Sequence, residues 1–181
     1  MNKTEILGKL TPSQRAMYRC LDSLLFGGEL VPPEDGNWLG LLAEAKQHNV
    51  LPQVYHVAEG LLPPEIRAAY SQEFRRQLYA ILRVTGLHNE MHLLLTQAGI
   101  PYVVLKGCVS SSYYPQPELR TLGDVDLLIR RENREKVHGL MLGEGYSLDP
   151  ESEEHRHHWC YKKDGFTVEI ATERRDLIGM G

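Results

Sequence analysis

The sequence predicts an α+β protein: a helical lobe over residues 1–99, then a small mixed β-sheet over residues 100–181. Three observations carry that prediction. Apolar residues recur at helical spacing as far as Gly99. After Pro101, short runs rich in Val, Leu and Ile replace them. The second of these runs opens with two aspartates one residue apart, Asp124 and Asp126.

The helical lobe begins with a clear start signal. Thr11 is placed to cap a helix, Pro12 suits its first position, and Gln14 can complete a reciprocal capping box. Met17, Cys20, Leu21, Leu24 and Leu25 then share a face, and Gly27-Gly28 ends the helix. A second helix is expected from Asn37 to His48, with Trp38, Leu39, Leu41 and Leu42 as core candidates. A short third helix starts near Pro52 and ends near Gly60. Pro63-Pro64 opens a much longer one. Ile66, Tyr70, Phe74, Leu78, Ile81 and Leu82 keep its spacing, as do Met91, Leu94 and Leu95, and Gly99 closes it.

Beyond Pro101 the expected order is a strand at 102–105, a helical turn from Gly107 to Tyr114, a strand at 123–130 and a helix at 133–143. A hairpin should follow, with strands at 157–161 and 166–171 around Lys162-Lys163-Asp164-Gly165, because Asp-Gly favours a tight turn. Strand side chains alternate faces. Asp124 and Asp126 therefore point one way, and Val125, Leu127 and Ile129 the other. In the last strand Glu169 faces away from the core side, as the aspartates do. Two ionised carboxylates some 5 Å apart repel by about 3 kcal/mol at an effective dielectric of 20. The pair calls for a cation, and Arg120 or a divalent metal ion suits.

Composition narrows the function classes. Hydrophobic residues make up 42% of the 181, enough for a core and too many for wholesale disorder. A formal net charge of -4 argues against a broad nucleic-acid-binding surface. Cys20, Cys108 and Cys160 are odd in number, widely spaced and form no C-x-x-C pair, so a reduced, cytoplasmic setting is expected. No signal-like apolar segment and no run of ~18 apolar residues occurs, so no membrane partner is expected.

A strand, a Gly-containing turn into a helix, a D-x-D strand and a later strand with a third acid form a familiar layout. The run Val103-Val104-Leu105-Lys106-Gly107, then Tyr114-Pro115, Leu119-Arg120, Gly123-Asp124-Val125-Asp126-Leu127-Leu128, Gly145-Tyr146, His157-His158 and Val168-Glu169 resembles an uncharacterised bacterial family of nucleotidyltransferases. That family is part of the DNA polymerase beta-like superfamily. The resemblance spans about residues 40–171 and is most specific from 103 to 128. It implies transfer of a nucleoside monophosphate from a nucleoside triphosphate to an unidentified acceptor, with Mg²⁺ or Mn²⁺. Asp124, Asp126 and Glu169 would hold the metal and serve catalysis, and Lys106, Gly107, Ser110 and Arg120 would bind phosphate.

The chain departs from that pattern in three places. The superfamily has Gly-Ser where this sequence has Lys106-Gly107, leaving Ser110 as a nearby hydroxyl. A histidine expected two residues after the last acid is Ala171 here. The chain ends ten residues after Ala171, so the helical part that covers the nucleotide base is expected to be missing. These departures motivate an alternative: a catalytically inactive nucleotide-binding or protein-interaction module on the same scaffold. A third class is a purely structural partner protein.

The remaining signals have simpler readings. His155 and His157 share a strand face near His158 and Cys160, but no second ligand pair supports a zinc site. Arg130, Arg131, Arg134 and Lys136 read as a solvated helix face. Arg174-Arg175 reads as surface, and Trp38 and Trp159 as packing residues.

Overall fold

The computed structural model describes residues 7–153 and 158–172. It divides into two compact units. The first takes the chain as far as Ile81, together with Tyr114–Thr121; the second takes Leu82–Tyr113 and the chain from Leu122 onward. The division falls inside the long helix, between Ile81 and Leu82, whereas the sequence pattern divides the chain after it.

The first unit is helical because its caps and apolar faces say so locally. Helix α1 (Pro12–Phe26) carries the full capping box, with Gln14 N–H donating to Thr11 Oγ1 and Thr11 N–H to Gln14 Oε1. Its exit is Gly27, left-handed at φ 73. Helix α2 (Trp38–Gln47) is capped by Asn37, and α3 (Leu51–Ala58) follows. A 3-10 turn at Glu59–Leu61 leads to α4 (Pro64–Gln97). Cys20, Trp38, Leu41, Ala45, Leu51 and Tyr70 belong to one buried cluster. The Tyr70 hydroxyl donates to the Trp38 carbonyl at 2.6 Å, so the buried phenol is partnered. Leu39, expected in the core, is 59% exposed, because it faces solvent between buried Trp38 and Leu41.

The second unit is a five-stranded mixed sheet in the order β1-β2-β5-β4-β3. The strands are β1 (Tyr102–Val104), β2 (Asp124–Ile129), β3 (Ser147–Leu148), β4 (His158–Lys163) and β5 (Phe166–Thr172). Helix α5 (Cys108–Ser111) is a single turn after β1, α6 (Arg134–Gly143) follows β2, and α7 (Pro150–Glu153) precedes β4. β2 and β5 are parallel; β1–β2, β3–β4 and β4–β5 are antiparallel. Asp164 and Gly165, at φ 52 and 79, make the β4–β5 hairpin turn with Lys163 opposite Phe166, as Asp-Gly predicts.

Val125, Leu127, Ile129, Val168 and Ile170 are buried, as are Val137 and Met141 of α6. Leu82, which keeps the helical spacing of α4, is 60% exposed. Of the basic run, Arg134 lies 3.5 Å over the Trp159 ring and Lys136 donates to the Ala98 carbonyl. Among the described residues no helix is long and apolar enough to cross a membrane.

Candidate metal centre

The parallel pairing of β2 with β5 builds the centre. Asp124 stands opposite Thr167, and Asp126 opposite Glu169. Because both strands alternate faces, the three acids emerge on one side of the sheet. Asp124, Asp126 and Glu169 each offer an oxygen, and these oxygens lie within 4.8 Å of one another. Alternation puts the acids on the side away from the core, which reads as solvent-facing. Asp126 is instead 3% exposed, with Asp124 and Glu169 partly buried beside it.

Lys106 reaches the acids through backbone pairing. Leu105 N–H donates to the Asp126 carbonyl at 3.1 Å, extending the β1–β2 ladder by one residue and delivering Lys106 to the start of β2. Its Nζ lies 3.2 Å from Asp126 Oδ2 and 3.8 Å from Asp124 Oδ2. Close approach to Asp126 first, and the charge of Asp124 second, hold the ammonium above its ordinary pKa. The 3.2 Å contact is an ion pair without hydrogen-bond alignment, so Asp126 Oδ2 is a buried oxygen with no hydrogen-bond partner.

Gly107 follows at φ 72 and ψ -120, a conformation only glycine adopts readily. A Cβ there would lie 3.0 Å from His88 Nε2. The turn therefore needs glycine twice, for its dihedrals and for its neighbour. The helix that follows is one turn long, so little dipole is available to a phosphate. Ser110 lies in that turn and is partly buried; the neighbouring Ser111 hydroxyl donates to the Gly107 carbonyl. Arg120, expected as a neutralising cation, belongs to the first unit, with its guanidinium 5.8 Å from the Tyr114 ring centroid.

His88 is a site neighbour that sequence reasoning missed. It is 8% exposed, and its Nε2 has no hydrogen-bond partner. Burial lowers its pKa, against the opposing pull of Asp126 and Asp124. The signal was present in the helical stripe. Ile81, Val84, Met91 and Leu95 are buried at spacings of three and four, and His88 fills the slot an apolar residue would take.

The acids themselves show the strain of their arrangement. Burial first, then Asp126 and Asp124, push the Glu169 carboxyl above its ordinary pKa, while Lys106 opposes. Cys160 sits opposite Glu169 on β4, and burial followed by that acid's charge raises its thiol. Of the zinc reading, His155 and His157 lie outside the described residues, as do Arg174 and Arg175.

The residues fit a hard divalent cation. The donor set is all carboxylate oxygen, three charges meet one lysine, and a buried oxygen lacks a hydrogen-bond donor. An α+β fold with a small mixed sheet and acids on neighbouring parallel strands is the architecture of a nucleotidyltransferase. A family model described as an uncharacterised nucleotidyltransferase matches residues 34–174, and the chain belongs to that family. No curated protein and no solved structure matches the chain.

Proposed function

We propose that the protein transfers a nucleoside monophosphate from a nucleoside triphosphate to an acceptor hydroxyl, with Mg²⁺ or Mn²⁺ held by Asp124, Asp126 and Glu169. The observation that supports this most is the register that sets Asp126 beside Glu169, with Asp124 two residues away. A divalent ion there neutralises triphosphate charge and stabilises attacking and leaving oxygens. Lys106 pairs with a phosphate oxygen as a point charge. Gly107, with no side chain, lets the backbone approach the phosphates, and Ser110 supplies a nearby hydroxyl. Glu169, held above its ordinary pKa, orients the acceptor hydroxyl or takes its proton.

Pyrophosphate release across the four ribonucleoside triphosphates, with Mg²⁺ or Mn²⁺ and cell extract as acceptor source, tests the reading. Asp126→Ala should abolish metal-dependent release while circular dichroism shows an intact fold. Equal release from both proteins rules the role out.

A second reading, a nucleotide-binding module without catalysis, draws on the same lysine, since an ammonium on the acids is also how a scaffold without metal would neutralise them. Triphosphate-dependent thermal stabilisation without pyrophosphate release identifies that case.

A further inference from the structure

We infer that Lys106 is an internal counter-ion that a divalent cation displaces from the acids, and that its displacement supplies the ammonium that captures the triphosphate. The inference rests on the proposed metal site and goes beyond it by coupling two binding events through one side chain.

The geometry carries it. Lys106 Nζ stands 3.2 and 3.8 Å from one oxygen of each aspartate, against the same carboxylates that would bind an ion. Metal–oxygen bonds of about 2.1 Å leave no room for an ammonium against those oxygens. A cation bonded to those oxygens and the lysine therefore compete for them. A second, independent observation lies in the unpartnered atoms: Asp126 Oδ2, on a residue more than nine-tenths buried, has no hydrogen-bond partner, and His88 Nε2, equally buried on another element, lacks one too and lies against the Gly107 turn.

Lys106 is also free to leave. Its side chain is 59% exposed, whereas that of Asp126 is only 5% exposed, so the lysine moves and the acid stays. Three carboxylates and one ammonium carry a formal charge of -2. A divalent cation serves them better than a monovalent one, and the released ammonium then sits at the mouth of the site, where triphosphate oxygens arrive. The metal and the triphosphate thus favour each other's binding through Lys106, in addition to their direct attraction.

Two readouts test this on the full chain without using turnover. In the first, acetylation of Lys106 by an amine-reactive ester is followed by peptide mass spectrometry. An ammonium held by carboxylates reacts slowly, so Mn²⁺ alone should raise Lys106 labelling severalfold. Adding a non-hydrolysable nucleoside triphosphate should then suppress it again. In the second, calorimetry compares Mn²⁺ binding to wild type, Lys106→Met and Lys106→Gln. Both variants should bind Mn²⁺ about tenfold more tightly when alone, having lost the competing cation. With Mn²⁺ saturating, both should bind the triphosphate more weakly than wild type. Opposite signs for metal and nucleotide distinguish displacement from a merely structural lysine.

Mn²⁺ binding to wild type that leaves Lys106 labelling unchanged, or is weakened in both variants, overturns the inference while the metal site stands. Failure of Mn²⁺ to bind at all, with Asp126→Asn indistinguishable from wild type, overturns the metal reading as well.

Discussion

Glu34 and Glu169 are the same side chain in opposite company. Glu34, in the loop after α1, accepts from Arg15 at 3.2 Å and from Arg19 at 2.9 Å. The Arg15 hydrogen bond first, then the charges of Arg15 and Arg19, hold it below the usual carboxylate range. Glu169 stands beside Asp126 and near Asp124 with one lysine among three acids, and it is pushed up. The first unit contains unpartnered buried atoms too, the amide oxygens of Gln53 and Gln77, but these are neutral. A neutral orphan costs a fraction of what an under-compensated buried charge costs. The chain thus places two arginines on an exposed loop acid and gathers three acids around one lysine in the sheet. The first arrangement favours the folded state; the second taxes it and suits a cation that arrives later.

The largest effect on stability is expected at the turn that sets Lys106 over the acids. Gly107→Ala forces a side chain into an unfavourable backbone region and against His88 Nε2, and should cost about 2 kcal/mol in chemical denaturation. His88→Ala in the same background should return the steric part of that loss and not the backbone part. A Gly107→Ala protein as stable as wild type would show that the turn relaxes freely.

Glu169→Gln should stabilise the protein at neutral pH by about 1 kcal/mol, the scale of a cross-strand pair. The sign follows from linkage. Its native pKa lies above the ordinary 4.5, so the native state holds this proton better than the unfolded one. The carboxylate has no effect on stability well below pH 4.5 and becomes increasingly unfavourable as pH rises through its elevated native value. The gain from Gln should therefore vanish near pH 4 in paired thermal melts. A gain that persists there points to packing instead of charge.

Mn²⁺ should raise the melting temperature at pH 7.5 and do so much less at pH 4.5, where more Glu169 is protonated. An equal shift at both values would separate metal binding from this acid. The smallest effect is expected at Glu34. Its lowered pKa contributes stability that is present above 4.5 and lost as pH falls through the native value. Glu34→Gln should therefore slightly lower the melting temperature at pH 7 and leave it unchanged at low pH, a slope opposite to that of Glu169→Gln. Parallel slopes for the two variants would break the contrast between the two acids.

Local chemistry was legible in the sequence wherever a few adjacent residues decide the outcome. The Thr11 capping box, the Gly27 exit and the Asp164-Gly165 turn are of this kind. Alternation alone put Asp124, Asp126 and Glu169 each on the far side of its strand from the core. What alternation does not contain is which strands are neighbours, so the pairing of Asp126 with Glu169 came from topology. Depth was equally hidden. A polar residue on a strand reads as solvent-facing, yet Asp126 is buried and Leu39 is not. Lys106 is distant in sequence from the acids, and the antiparallel register of β1 and β2 brings it to them. His88 escaped notice because a histidine in an apolar stripe gains meaning only once the turn it faces is known.

β5 comes last among the described strands in sequence and lies third of five in space, between β2 and β4. Without it the sheet separates into two unconnected pairs, β1 with β2 and β3 with β4. The strand that joins those halves also carries Glu169, so completing the sheet and completing the centre are a single event. Amide protons of β5 should exchange only through global opening, and a partly opened molecule that has shed this strand retains no acid triad at all.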